Sequence, residues 1–422
     1  MVSKPVFRTI VTEQRKEFQS LEGTVPRTLF PIIKSYAGAS AFVLKGIRRC
    51  GKSTLFKQLI NARFDNNFLY FDFDDERIIN FKTDDFQPLM ETLIEAFGNK
   101  KAIFFDEIQN VMGWELFINR MLRQKYHVFI TGSNANLLSK ELGTHLTGRH
   151  VDIELYPFSF IEFLTARKIA LPRKGFYSTE QRAVFSKSFK EYLSKGGMPE
   201  VVVYANEEVL AKVLNDIIQK DIIERYKIRK PSEIKTVLKF LTSNISNPFT
   251  FRSIINNFNI KSVDTVQKYL EYAEEAYLLF TVRKFERKKK KLDKNPRKVY
   301  CIDNGIVVKN SPAINEKMGA LLENVVAVQL KRTGKEFYYY SNKRSEADFV
   351  VPAEKTAIQV CYELDDRNKE REIKGLTEAM EEINADTGFL LTLEQEEELT
   401  IKGKKIVIQP VWQWLIENEL SE

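Results

Sequence analysis
The chain has 422 residues and is 43% hydrophobic, enough for several domains with cores of their own, so a small stapled scaffold is excluded. No apolar run approaches the length of a bilayer-spanning helix, and Met1–Arg8 lacks the apolar centre of a secretion signal, so a folded cytoplasmic protein without a membrane partner is expected. The net charge of +8, from 65 Lys and Arg against 57 Asp and Glu, is a mild excess, and the 3 cysteines, Cys50, Cys301 and Cys361, follow no metal-ligand spacing and suit a reducing compartment.

Ala41–Leu44 reads as a buried strand and Thr54–Ile60 as a helix. Between them Gly46, Ile47, Arg48, Arg49, Cys50, Gly51, Lys52 and Ser53 spell a complete nucleotide-phosphate loop in its strand-turn-helix context. The glycines let backbone N–H groups turn around phosphates, the helix N-terminus at Ser53 and Thr54 adds partial positive charge, and Lys52 meets the β and γ oxygens. ATP is therefore the expected ligand, with Ser53 a ligand of Mg2+. The plain alternative is a glycine-containing turn.

Phe68–Phe73, Lys101–Glu107, Tyr126–Thr131 and Val151–Leu155 read as further short apolar strands separated by helical stretches, including one around Gln87–Phe97. Such alternation predicts a parallel sheet covered on both faces. From Thr179 to Tyr226 the pattern is helical, broken by a turn at Gly196-Gly197-Met198-Pro199, and fits a helical lid. Pro231 then opens a helix with Ser232 as the expected N-cap, and further helices follow Thr250 and Ser262. With β-rich stretches at Leu278–Phe285 and Arg297–Ile302, they outline a winged helix-turn-helix.

Seven cations and one anion fill Arg283–Lys291, where the wing of such a domain meets a DNA backbone. DNA contacts are accordingly expected from Lys261, Lys268, Arg287, Lys288, Lys289, Lys290 and Lys291; a solvated loop is the alternative. Glu271, Glu274 and Glu275 would repel phosphate from the same helix. The remainder reads as helix Glu316–Arg332, strands Glu336–Ser341, Glu346–Val351 and Lys355–Cys361, helix Asn368–Ile383, and strands Gly388–Leu393 and Lys404–Ile408.

Chemistry concentrates at strand ends. Phe104-Phe105-Asp106-Glu107 closes an apolar strand on two carboxylates: Asp106 is assigned to Mg2+ and Glu107 to the general base that polarises a hydrolytic water. Ser133, with Asn134 behind it, stands where a γ-phosphate sensor would be, unless these residues only cap a helix. Arg149, after Leu146-Thr147-Gly148, offers a cation to the nucleotide of a neighbouring subunit in an oligomer, unless it serves in a surface ion pair.

Taken together, the loop, Phe104–Gln109, Thr131–Asn134, Leu146–Arg149 and Leu155–Phe163 resemble the AAA-type ATPases of archaea and bacteria that carry a fused C-terminal domain of unknown function. Gly196–Glu200, Lys220–Ile222, Val299–Gly305 and Glu346–Phe349 match later blocks of that family. The resemblance implies an AAA core, a winged-helix segment and a terminal module similar to PD-(D/E)XK nucleases. A metal-dependent nuclease of that kind needs an acid on its first helix, an Asp at a strand start and Glu-x-Lys on the next strand. Glu323 and Asp348 fit the first two positions, but the third reads Gln359-Val360-Cys361. A degenerate module is expected, with Glu363 as a candidate migrated ligand.

The resulting expectation is an α/β protein with an ATPase core over 1–165, a helical lid over 166–230, a winged helix over 231–310 and a nuclease-like module over 311–422. It would hydrolyse ATP with Mg2+ and couple the cycle to DNA. The alternatives are a nucleotide-dependent switch that recognises a protein or nucleic-acid signal, and a Mg2+-dependent nuclease.

Overall fold
The five apolar runs of the first third are the strands β1 (Ala41–Lys45), β2 (Phe68–Asp72), β3 (Ala102–Asp106), β4 (His127–Gly132) and β5 (His150–Glu154) of one parallel sheet, in the order β2-β3-β4-β1-β5. The structure, a computed structural model, describes residues 2–20, 24–35, 40–134, 149–171, 177–287, 296–311 and 317–419. Two compact units divide the chain, Met1–Tyr156 with Glu275–Tyr277 and Pro157–Glu274 with Leu278–Glu422.

In the first unit β1 and β3 are buried along their whole length, as expected of central parallel strands with both faces covered. On one face Phe104 and Phe129 stack at 4.5 Å between centroids, flanked by Phe56, Phe64 and Phe68. The other face buries Phe71, Phe73, Phe105 and Phe117 together with Phe7, Ile10 and Val11. Those last three come from a helix, Lys4–Ser20, that the sequence reading did not anticipate. Gln14 fastens it to the end of β2: its amide accepts from Asp72 N–H and donates to the Asp72 carbonyl, both at 3.0 Å.

The second unit opens with helices Phe160–Ala166, Thr179–Lys195, Pro199–Tyr204 and Glu208–Asp216 and a π-helical turn, Ile217–Glu224. Helices Pro231–Ser243, Phe251–Phe258 and Val263–Glu275 follow, with a three-stranded sheet of β6 (Pro248–Phe249), β7 (Leu279–Arg283) and β8 (Arg297–Cys301) in the antiparallel order β6-β8-β7. Ser232 is not the N-cap it was expected to be. Lys230 holds that position and Pro231 is the first helical residue, where the missing N–H costs nothing and the fixed φ suits the helix.

Helix Met318–Arg332 leads into a six-stranded sheet of β9 (Tyr338–Ser341), β10 (Glu346–Val351), β11 (Thr356–Val360), β12 (Thr387–Thr392), β13 (Glu397–Ile401) and β14 (Lys404–Pro410), ordered β13-β14-β12-β11-β10-β9. Helix Lys369–Glu382 joins β11 to the parallel β12, and helix Val411–Glu419 closes the chain.

Two sequence blocks without an assigned role meet inside this unit. Asp303 caps helix Asn304–Asn310 by accepting from Ile306 N–H, and its second oxygen accepts from Gly197 N–H at 2.6 Å. Asn304 donates to the carbonyls of Leu193 and Leu321. A Cβ on Gly197 would lie 2.2 Å from the Phe158 carbonyl oxygen, a backbone atom that cannot step aside. Gly197→Ala should therefore lower the stability of the second unit by about 1–3 kcal/mol, whereas Gly319→Ala, with nothing within 4 Å, should leave it unchanged or higher. Thermal unfolding of the two variants checks this; equal midpoints would contradict it.

Candidate functional site
Leaving β1, the chain turns at Gly46, where a Cβ would meet the Leu155 carbonyl oxygen at 2.2 Å, so no other residue fits. It re-enters helix Lys52–Arg63 through Gly51 at φ 97°, a left-handed conformation that favours glycine. No side chain caps that helix, which leaves its N-terminal amides available for an anion. Behind the loop the buried Arg27 donates to the carbonyls of Cys50 at 2.9 Å and Tyr156 at 2.6 Å. Cys50 is wholly buried, and burial pushes its thiol pKa up, so it is a packing residue of the loop and not a nucleophile.

Lys52 is buried, 5% exposed, with its ammonium turned inward. It donates to the carbonyls of Gly46 at 3.2 Å and Ile47 at 3.3 Å and pairs with Glu107 at 3.3 Å. Burial, the largest single influence, would lower its pKa, but Glu107, Cys50 and Asp106 together outweigh it and raise it. Glu107 has φ 49°, a left-handed conformation that costs a non-glycine residue roughly 1 kcal/mol. Burial alone would raise its carboxyl; Lys52, the hydrogen bond from Gln109 and Arg48 overcome it and hold the group at about 2.

Thr131 sets the two acids. Its hydroxyl donates to Asp106 Oδ1 and accepts from Glu107 N–H at 3.0 Å. Tyr70 reaches the other Asp106 oxygen at 3.2 Å, and Ser53 also bonds to this carboxyl. Strand pairing places Asp72 directly opposite Asp106. Burial and Asp106 push Asp72 up to about 8, and burial and Glu107 raise Asp106 as well. Such shifts mark negative charge that protein cations do not balance. A divalent cation fits this donor set, and Ser53, Asp106 and Asp72 are the residues that would hold it.

Of the remaining expected residues, Ser133 is buried and linked to Glu107 through Gln109, whose amide lies 2.5 Å from Glu107 Oε2 and 3.5 Å from Ser133 Oγ. Asn134 is buried behind it. Arg149 is exposed just ahead of β5, where its carbonyl accepts from Ala41 N–H at 2.8 Å; Leu146–Gly148 lie outside the described residues. Sequence reasoning quoted Thr131 and Gln109 within its motifs without giving them roles, and it missed Asp72 and Arg27. Only Asp72 carried a local signal, an acid ending an apolar strand as Asp106 does.

In the second unit Lys261 and Lys268 are exposed at and along helix Val263–Glu275. Glu274 does not oppose them, because it turns inward to accept from Thr281 N–H at 3.0 Å and Oγ1 at 2.7 Å. Arg287 pairs with Glu382 at 2.7 Å, while Lys288–Lys291 lie outside the described residues. Glu323, Asp348 and Gln359 do converge, Asp348 N–H donating to Gln359 Oε1 at 3.1 Å. Glu363 is exposed, and the carboxylate beside Gln359 is instead Glu372, at 2.6 Å.

The AAA domain family matches residues 39–164, and two domains of unknown function, DUF8612 and DUF4143, match 186–315 and 318–414. An uncharacterized protein of Methanocaldococcus jannaschii is 36% identical over 88% of this chain and 87% of its own length. Another, of Haemophilus influenzae, is 32% identical over 78% and 84%. Among solved structures, AMPPCP-bound DnaA from Aquifex aeolicus is 12% identical, covering 58% of this chain and 85% of that one with a TM-score of 0.22. C. elegans PCH-2 is 13% identical, covering 49% and 61%, with a TM-score of 0.29.

Thr131→Val removes one hydroxyl that serves two buried groups. The loss should destabilise the first unit by about 1–3 kcal/mol, read by chemical denaturation. A variant as stable as the parent would show that Thr131 does not position the acids.

Proposed function
Because the chain belongs to one family with these Methanocaldococcus and Haemophilus proteins, and its residues 39–164 are an AAA-type ATPase domain, we propose an enzyme that binds and hydrolyses ATP and couples the cycle to DNA. The observation that carries hydrolysis is the Lys52–Glu107 pair beside an uncapped helix N-terminus. Incoming phosphate oxygens compete with Glu107 for the same ammonium. A carboxyl held at about 2 is a poor proton acceptor. Once Lys52 turns to the phosphates its hold on Glu107 weakens, and the carboxylate, still oriented by Gln109, becomes basic enough to accept a proton from water. Mg2+, when bound, would supply charge neutralisation at the phosphates, with Ser53, Asp106 and Asp72 as its protein ligands.

For DNA, the support is the order helix, strand, helix, helix, hairpin over Pro231–Cys301 with sheet order β6-β8-β7. This order supports the winged-helix reading, and Lys261 and Lys268 are exposed on that segment. The exposed Arg149 supports an assembly in which it reaches a neighbouring subunit's nucleotide. A second reading, a slow nucleotide switch, draws on the same ion pair, since a resting state with a weakened base has low turnover.

Lys52→Ala should abolish nucleotide binding in a titration with a fluorescent ATP analogue; retained affinity would remove the loop from the mechanism. Glu107→Gln should keep that affinity and lose about 10²-fold or more in turnover. Phosphate release measured without DNA, with duplex and with branched DNA separates the readings: stimulation supports coupling, a flat slow rate supports the switch. Replacing Lys261 and Lys268 by Ala should weaken DNA binding and flatten its dependence on salt.

A further inference from the structure
The terminal module resembles metal-dependent nucleases, yet its acids meet a different cation. Lys298, on the central strand β8 of the three-stranded sheet, points its ammonium between Asp348 Oδ1 at 2.8 Å and Glu323 Oε1 at 3.0 Å. It is 5% exposed. The other Asp348 oxygen accepts from Val360 N–H at 3.0 Å, and Tyr300 donates to Glu323 Oε1 at 2.7 Å. Gln359, at the position where such an enzyme needs a third acid, spends its carbonyl on Asp348 N–H and its amide on Glu372, which Arg371 also holds. Every acid in the cluster thus has a partner from the chain itself.

We propose that Lys298 is the resident cation of this site, standing where a divalent metal would bridge Glu323 and Asp348, so that the terminal module takes up no metal and does not cleave nucleic acid. The donor set does not fit Mg2+ while the ammonium is there: an ion 2.0–2.1 Å from both carboxylates would have to displace a lysine whose removal leaves an ammonium unpaired in the interior. By contrast, among the described residues Asp72 and Asp106 form no ion pair with an ammonium, Lys52 being paired with Glu107.

The test uses the full-length, nucleotide-free protein and Mn2+ as the probe, counted by electron paramagnetic resonance. The wild type and Asp348→Asn should bind equal amounts of Mn2+, any ion at Asp72 and Asp106 being common to both. Lys298→Met should gain a single Mn2+ per chain, and Lys298→Met/Asp348→Asn should lose it again. A folded Lys298→Met that gains none overturns the proposal. So does a wild type whose Mn2+ uptake falls on Asp348→Asn, or whose Mg2+-dependent cleavage of plasmid DNA is abolished by Asp348→Ala. If Lys298→Met does not fold, the comparison of wild type with Asp348→Asn and Glu323→Gln decides alone.

Discussion
A lysine held by two loop carbonyls and one acid governs the nucleotide site. The Lys52 ammonium touches two loop carbonyls and Glu107, and three properties follow from that placement. The loop is drawn closed around its own cation. Glu107 is kept ionised but weakly basic. Asp72 and Asp106, opposite each other in the strand register, are left as an acid pair with raised pKa values. The first two make a resting state that phosphate oxygens can reverse, because they offer Lys52 the same kind of partner. The third is a donor set suited to a divalent ion.

The nucleotide loop and the sheet around it were legible because their signals are local. A central parallel strand is apolar at every position, so β1 and β3 announce themselves, and the loop's glycines, lysine and serine are contiguous. What escaped depends on contacts between distant segments. Asp72 becomes a site residue only through its register with Asp106, and Arg27 only because the fold returns it beneath Cys50. The strand β13, Glu-Glu-Leu-Thr-Ile, escaped for another reason: it is the outer strand of its sheet, largely exposed, and an edge strand lacks the apolar run that identifies an inner one. Helix Lys4–Ser20 hid its buried stripe, Phe7, Ile10, Val11, Gln14 and Phe18, among charged residues and a polar member.

The terminal module shows how far a motif can be read without its surroundings. From the sequence, Gln359-Val360-Cys361 means a missing lysine. In the fold a lysine is present, supplied from 25 residues ahead of Glu323 in the chain. Its origin matters more than its chemistry alone, because β8 also forms the three-stranded sheet with β6 and β7. A buried ion pair between two subdomains adds little net stability, since desolvation offsets much of the attraction, but breaking it by removing one partner is costly. Lys298 therefore specifies how these two parts meet more than it strengthens them.

The same logic extends along the hairpin. Phe285 N–H donates to the Tyr339 carbonyl at 2.7 Å, Tyr339 donates to the Pro296 carbonyl at 2.7 Å, and Arg287 pairs with Glu382. Strands β7 and β8 are thus fastened to the terminal sheet at Lys298 on one side and at Phe285–Arg287 on the other. The two strands, bound in this way, pack as one body with the terminal sheet. That body includes the acid cluster, and the exposed Arg287 is itself paired with Glu382. Holding these strands at two separated points fixes their orientation on the terminal sheet, which either contact alone would leave free to pivot.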